Sequence, residues 1–125
     1  MGEWCTEQHN KSGLVRRCKQ SPYYMPQAER LVLNFIREHV ASQDAILAGN
    51  SIHTDKLFLR KDMPTLHDYL HYRLLDVTSI KEVCRRWYPD DFKRAPKKKN
   101  AHTAMSDIRE SIAELKYYRY KIFRM

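Results

Sequence analysis

The sequence predicts an α/β domain in which helices cover a small sheet that is parallel at least in part. Short apolar runs alternate with stretches of helical periodicity, in the order helix, strand, helix, strand, helix, helix. The chain has 125 residues, enough for one domain. Hydrophobic residues make up 42% and charged residues 30%, a globular balance far from charge-rich disorder.

Glu3 to Gln20 is polar and interrupted at Lys11-Ser12-Gly13, and reads as two short helices around a turn, the second carrying Leu14, Val15 and Cys18. From Pro26, which suits a first helical turn, Ala28, Leu31, Val32, Phe35 and Ile36 recur at helical spacing and predict a buried stripe on a helix to about His39. Ala45-Ile46-Leu47-Ala48, closed by Gly49-Asn50-Ser51, fits a buried parallel strand ending in a tight loop. A helix is expected from near Thr54, burying Leu57 and Phe58; Pro64 interrupts it, and Thr65 restarts a turn or two through Leu66, Tyr69 and Leu70. Tyr72 to Val77 reads as the second strand. Ser79 and Glu82 match a capping box ahead of a helix with Ile80, Val83, Cys84, Trp87 and Tyr88 on one face, ended by Pro89. Lys93 to Asn100 has no apolar period and reads as a basic loop. The last helix is expected from about Thr103 to Ile122, with Met105, Ile108, Ile112, Leu115, Tyr118 or Arg119, and Ile122 along its seam. Doubly wound sheets usually hold about four to six strands, so further strands are expected ahead of residue 1.

Lys and Arg number 23 against 15 Asp and Glu, a formal charge of +8 that favours a polyanionic partner such as nucleic acid. The longest apolar run, Ala45 to Ala48, is far shorter than the roughly 20 residues of a membrane-spanning helix, so no membrane partner is expected. The first residues match neither a secretory signal nor an Arg-rich transit peptide, and an intracellular setting is expected. Three cysteines, Cys5, Cys18 and Cys84, without CxxC spacing indicate neither a disulfide framework nor a zinc site.

Asp55 lies just beyond the first strand, where open α/β sheets place ligands, although the helix dipole alone also favours an acid there. His102 and Asp107 would stand roughly 140° apart on a continuous helix of 3.6 residues per turn, so they converge only if His102 precedes the helix. Thr103 offers the N-cap that would put Asp107 one turn inside and leave His102 on the basic loop. A carboxylate on a helix and a histidine on a loop suit metal binding and proton abstraction. Ser51 beside the Gly-Asn loop, Arg73 on a strand and Lys97 to Lys99 are phosphate-recognising residue types. Trp87 and the tyrosines at 117, 118 and 120 have faces on which bases stack, but their helical spacing fits packing better.

Gly49-Asn50-Ser51-x-x-x-Asp55-x-x-Phe58, His71-Tyr72-Arg73-x-x-Asp76-Val77, Val83-Cys84-Arg85-Arg86-Trp87-Tyr88-Pro89, Pro96-Lys97-Lys98 and His102-x-Ala104-x-x-Asp107-Ile108-Arg109-Glu110-Ser111-Ile112 together resemble oligoribonucleases, members of the histidine subclass of the DEDD exonucleases. The likeness covers essentially the whole chain. It implies a ribonuclease H-like α/β exonuclease fold, here helix-rich with few strands, and a homodimer. It also implies hydrolysis of very short RNA oligonucleotides from the 3′ end, down to dinucleotides, with two divalent cations, Mg²⁺ or Mn²⁺. By the resemblance Asp55 and Asp107 are the third and fourth carboxylates of the metal site, and His102 is the general base. Ser51 and Arg73 resemble the residues that grip the substrate's 5′ phosphate, while Trp4, His9, Tyr72 and Thr78 match positions lining that pocket, some from the partner subunit. Thr78 stands for a usual serine, and Ser106 where the family often has a further Asp.

The family's first motif, Asp-x-Glu, does not occur in these residues and is expected ahead of residue 1. The chain then reads as the C-terminal portion of a single exonuclease domain, with little activity on its own. The alternative is a non-catalytic nucleotide-binding or dimerisation module that keeps Ser51, Arg73 and the basic loop. The expected compartment is the cytoplasm or the mitochondrion.

Overall fold

The computed structural model describes residues 2–11, 13–99 and 103–124. Its elements in order are α1 (Glu3–Lys11), α2 (Leu14–Gln20), α3 (Met25–Arg37), β1 (Leu47–Gly49), α4 (Ile52–Asp62), α5 (Pro64–Tyr69), β2 (Leu74–Asp76), α6 (Val77–Trp87), α7 (Pro89–Lys93) and α8 (Ala104–Lys121). This helix-rich α/β order with a small parallel sheet is the fold class the sequence predicts. The chain divides into two compact units, Tyr23–Val83 and Met1–Pro22 with Cys84–Met125.

In Tyr23–Val83, β1 and β2 pair in parallel with Leu47 opposite Leu74, Ala48 opposite Leu75 and Gly49 opposite Asp76. The segments come together before the ladder begins, because the His71 N–H donates to the Ala45 carbonyl at 2.8 Å. The regular strands are therefore shorter than the predicted 45–48 and 72–77: the first is shifted toward its loop, and Val77 already belongs to a helix. α4 packs on both strands and on α5. Leu33, Ile52, Leu66 and Val77 are buried here.

The buried face of α3 differs from the predicted stripe. Leu33 is buried, whereas Leu31, Val32 and Phe35 are exposed. The cause is α5: the Glu29 carboxylate accepts the Leu66 N–H at 3.1 Å, so the covered side is the one bearing Glu29 and, four residues on, Leu33. A similar correction holds on α4, which starts at Ile52 rather than Thr54. Ile52 goes into the core, while Leu57 and Phe58, predicted buried, are 62% and 60% exposed. α6 begins two residues before Ser79, which therefore lies inside the helix and not at its N-cap; the Asp76 carboxylate stands at the cap and accepts the Thr78 N–H at 2.9 Å.

In the other unit, α1 packs on α2 around the predicted turn. Cys84, Glu114 and Tyr118 are buried, but Trp87, predicted on the same face as Cys84, is 72% exposed. α7 is an unpredicted helix between the expected helix end at Pro89 and the expected loop start at Lys93, opened by Pro89. α8 matches the prediction in length and, of the two residues expected at one seam position, buries Tyr118; the seam fails toward its start, where Met105, Ile108 and Ile112 are exposed, and Glu114 is covered instead. The Tyr118 hydroxyl donates to Glu114 Oε2 at 3.1 Å, which is how a carboxylate is accommodated at a buried position. Burial first, then the Glu114 carboxylate, hold the Tyr118 phenol well above the ordinary tyrosine range. Among the described residues no helix is long and apolar enough to cross a membrane.

Candidate active site

The Gly49-Asn50-Ser51 loop leaves the C-terminal end of β1 and turns directly into α4. Gly49 has φ 158°, and a Cβ on it would come to 3.0 Å from Cδ1 of the buried Ile52. Ser51 is left-handed, with φ 51° and ψ 40°. Its N–H donates to Asp76 Oδ1 at 2.9 Å and to Thr78 Oγ1 at 3.1 Å. Asn50 Nδ2 donates to the same threonine oxygen at 3.3 Å. The Ser51 side chain makes no capping bond to α4. Asp55 follows one turn into α4, exposed.

Arg73 and Tyr72 form one unit of charge and ring. Arg73 Nε donates to the Tyr72 hydroxyl at 3.1 Å, and its guanidinium carbon lies 5.4 Å from the ring centroid. His71 stacks on the same ring at 4.7 Å and 24°, and its Nδ1 accepts the Arg73 N–H at 3.0 Å. Lys56 reaches from α4 to the Tyr72 carbonyl at 3.0 Å. Arg73 immediately precedes β2, so its backbone stands at the opposite end of that strand from Asp76 and the Ser51 loop. Beside it a groove of about 510 Å³ is lined by His53, Lys56, Leu57, Arg60, His67 and Tyr72. Ser51 and Thr78 are thus brought together, Tyr72 and Arg73 form a second pair, and Asp55 lies on the helix that the first pair begins.

The remaining candidates lie in the other unit. Asp107 is in the first turn of α8 and exposed. The predicted N-cap is present: Thr103 Oγ1 accepts the Ser106 N–H at 3.3 Å and donates to Ser106 Oγ at 2.8 Å, which donates in turn to the Thr103 carbonyl at 3.1 Å. His102 lies outside the described residues. Trp4 and His9 are both on α1, the first exposed and the second half-buried. The basic loop is tied to α8 by the Lys99 N–H, which donates to Glu110 Oε1 at 2.8 Å. Cys84 is no candidate nucleophile: burial, then Asp91, raise its thiol and disfavour the thiolate. Tyr117 donates its hydroxyl to the Asp91 carbonyl, and burial raises its phenol too.

Asp76 is the residue the sequence reading missed. It closes a short apolar segment immediately before a helix, the position of an N-cap, and that signal was available. The tertiary bond to Ser51, 25 residues away, was not.

Carboxylate oxygens are the ligands that hard cations such as Mg²⁺ or Mn²⁺ take, so Asp55 and Asp107 fit such a metal in kind. Among the described residues no three His, Cys, Asp or Glu side chains form a group able to hold a metal ion.

A family model described as exonuclease, RNase T, matches residues 1–115. The mitochondrial oligoribonuclease of Mus musculus is 50% identical over 124 residues, which cover 99% of this chain and 52% of the relative. The oligoribonuclease of Mycobacterium avium is 52% identical over 98% of this chain and 58% of its own length. The probable oligoribonuclease of Drosophila melanogaster is 45% identical over 99% of this chain and 59% of its own. The chain spans about half the length of the relatives it matches. With its motifs and a family match that runs through almost all of its length, the chain belongs to the RNase T exonuclease family, and the relatives it resembles within the DEDD superfamily are oligoribonucleases.

Proposed function

We propose that this chain serves a 3′ to 5′ exoribonuclease that degrades short oligoribonucleotides, dinucleotides included, to mononucleotides. The observation that carries the reading is identity at about half of the residues, over 98–99% of the chain, with relatives named oligoribonuclease. The geometry of Tyr23–Val83 supports it. Thr78 Oγ1 accepts from Asn50 Nδ2 and from the Ser51 N–H, which leaves its own proton to donate, and the Ser51 hydroxyl is not spent on capping α4. Two hydroxyl donors therefore stand together at the strand end, as a phosphate oxygen requires. Arg73 uses Nε on Tyr72 and keeps its two terminal nitrogens for a phosphate. In this assignment Ser51, Thr78 and Arg73 hold the 5′ phosphate and so limit substrate length, while Tyr72, Trp4 and His9 line the pocket.

Asp55 and Asp107 are assigned as carboxylates for two divalent cations, Mg²⁺ or Mn²⁺, and His102 as the base that takes the proton of the attacking water. When bound, such cations supply charge neutralisation at the scissile phosphate and a more acidic water. The assembly assigned with this reading is a homodimer, and the compartment is the mitochondrion or the cytoplasm, the former being the setting named for the mouse relative.

The test is conversion of a 5′-phosphorylated diribonucleotide to mononucleotides by the purified chain with Mn²⁺, with Asp107→Ala as control and circular dichroism to verify folding. Turnover that disappears in Asp107→Ala is expected on this reading. Turnover retained in Asp107→Ala removes the metal-ligand assignment, and a folded chain without turnover makes these residues either a portion of the enzyme that needs the Asp-x-Glu motif supplied or a nucleotide-binding relic.

A further inference from the structure

We infer that Asp76 is a positioning residue for the phosphate grip: its carboxylate latches Ser51 in the left-handed conformation that presents the serine hydroxyl and sets the start of the helix carrying Asp55. This rests on the reading of Ser51 as a phosphate donor. One oxygen of Asp76 accepts two N–H groups, from Ser51 at 2.9 Å and from Thr78 at 2.9 Å. The second bond is an ordinary helix cap. The first is not required by any helix, since it joins residues 25 apart in sequence, and it falls on the residue whose φ is 51°.

A non-glycine residue in this region is strained and persists only where its surroundings over-determine it. Here they do. The Ser51 N–H is shared between Asp76 and Thr78, and Asn50 is tied to the same threonine. Charge-assisted hydrogen bonds such as the one to Asp76 are the stronger kind. A further consequence is that this N–H is already spent: a phosphate at this helix start is met by hydroxyls and not by the Ser51 amide. With its carboxylate bonded to two N–H groups, Asp76 is also turned to the loop as an acceptor, so it holds the grip without itself being a group that can donate to a phosphate.

The two bonds are separable by substitution. Asp76→Ser keeps an oxygen of the kind that caps a helix at Thr78 but is one bond shorter and does not reach Ser51. Asp76→Asn keeps one oxygen at the same reach, loses the charge and turns the second oxygen, the one 4.0 Å from His53 Nδ1, into an NH2 group. Affinities are measured in EDTA, so that neither metal nor turnover enters, for a diribonucleotide with a 5′ phosphate and for the same one with a 5′ hydroxyl. Protection of the Ser51 amide is followed by residue-resolved hydrogen exchange.

In Asp76→Ser the Ser51 amide is expected to lose protection, and affinity for the phosphorylated dinucleotide to fall about tenfold or more, as for a lost hydrogen bond to a charged group. Affinity for the 5′-hydroxyl dinucleotide stays within about twofold of the parent chain, because the misplaced hydroxyl has nothing to hold there. Asp76→Asn, which keeps the hydrogen bond without the charge, recovers both readouts in part and lies between Asp76→Ser and the parent chain. Equal loss for the two ligands makes Asp76 a helix cap and nothing more, and overturns the inference. So does full preference for the 5′ phosphate in Asp76→Ser once Ser51 protection is gone. If Ser51→Ala and Arg73→Ala leave the preference for the 5′ phosphate intact, it is the underlying reading of the grip that fails.

Discussion

Asp55 and Asp107 are each the fourth residue of a helix, yet the two helices start in opposite ways. α8 is begun by its own neighbours: Thr103 accepts from Ser106 three residues on, and Ser106 returns a bond to Thr103. α4 is begun from outside. Its N-cap residue, Ser51, gives no side-chain capping bond, is held in a left-handed conformation, and is fixed by Asp76 and Thr78, 25 and 27 residues away. A locally capped helix keeps its first turn wherever the rest of the chain goes, because the cap lies within four residues. A helix latched by tertiary bonds presents its first turn correctly only when the strand bearing the latch is in register. The Asp55 side is thus coupled to the β1–β2 pairing, in which Gly49 stands opposite Asp76, and the Asp107 side is not.

The largest expected effect is common to both sides and tests whether the two aspartates are functional equals. Replacing a group that only supports a metal ligand typically costs 10–100-fold, so removing a ligand itself in Asp55→Ala or Asp107→Ala should cost more than about 100-fold in Mn²⁺-dependent dinucleotide turnover. Stability should change little in both, by no more than the roughly 0.3–1 kcal/mol that a first-turn acid contributes through the helix dipole. A large turnover loss in one variant alone would make the other aspartate a helix-dipole residue and no ligand.

The two helix starts also mark what the sequence made legible. Thr103 with Ser106 is a pattern within four residues, so the start of α8 and the place of Asp107 were readable, as was the Lys11-Ser12-Gly13 break between α1 and α2. The order of elements was readable for the same reason, because periodicity and Pro and Gly signals are local. Which apolar face is covered is not local. On α3 the sequence offers Leu31, Val32 and Phe35 as readily as Leu33, and only the bond from Glu29 to the backbone of α5 selects the Leu33 side. On α8 a seam through Met105, Ile108 and Ile112 is regular in sequence, but the covered residues include a glutamate whose carboxylate is bonded to Tyr118. The candidate site divides likewise: Ser51, Asp55, Arg73 and Asp107 were identified through motifs, whereas the role of Asp76 required seeing strand ends side by side.

A sharper test of the tertiary latch is Gly49→Ala. The added Cβ would meet Cδ1 of Ile52 at 3.0 Å, and Ile52 is a buried residue at the very start of α4. The expected loss is about 1–3 kcal/mol of stability in urea unfolding, in the range of a residue forced into a sparsely populated backbone region. Thr103→Ala, by contrast, removes one local cap and should cost about 1 kcal/mol, with Thr103→Ser recovering most of it. If the order is reversed and Thr103→Ala is the more damaging, the start of α4 is less tightly determined than that of α8, and the distinction drawn from the hydrogen bonds fails.

The smallest expected effect separates the two starts most directly. Ser51 occupies the N-cap position of α4 as Thr103 does that of α8, and both carry a hydroxyl, but only the threonine uses its own as a cap. Ser51→Ala should therefore change stability by no more than about 0.5 kcal/mol, the usual span for a surface substitution that breaks no feature of the fold. The left-handed backbone costs alanine about what it costs serine, and the N–H held by Asp76 and Thr78 is still present. The same substitution should weaken binding of a 5′-phosphorylated dinucleotide, so one residue is silent in unfolding and audible in affinity. A stability loss as large as that of Thr103→Ala would mean that the Ser51 hydroxyl caps α4 after all, and that helix would then start as locally as its counterpart.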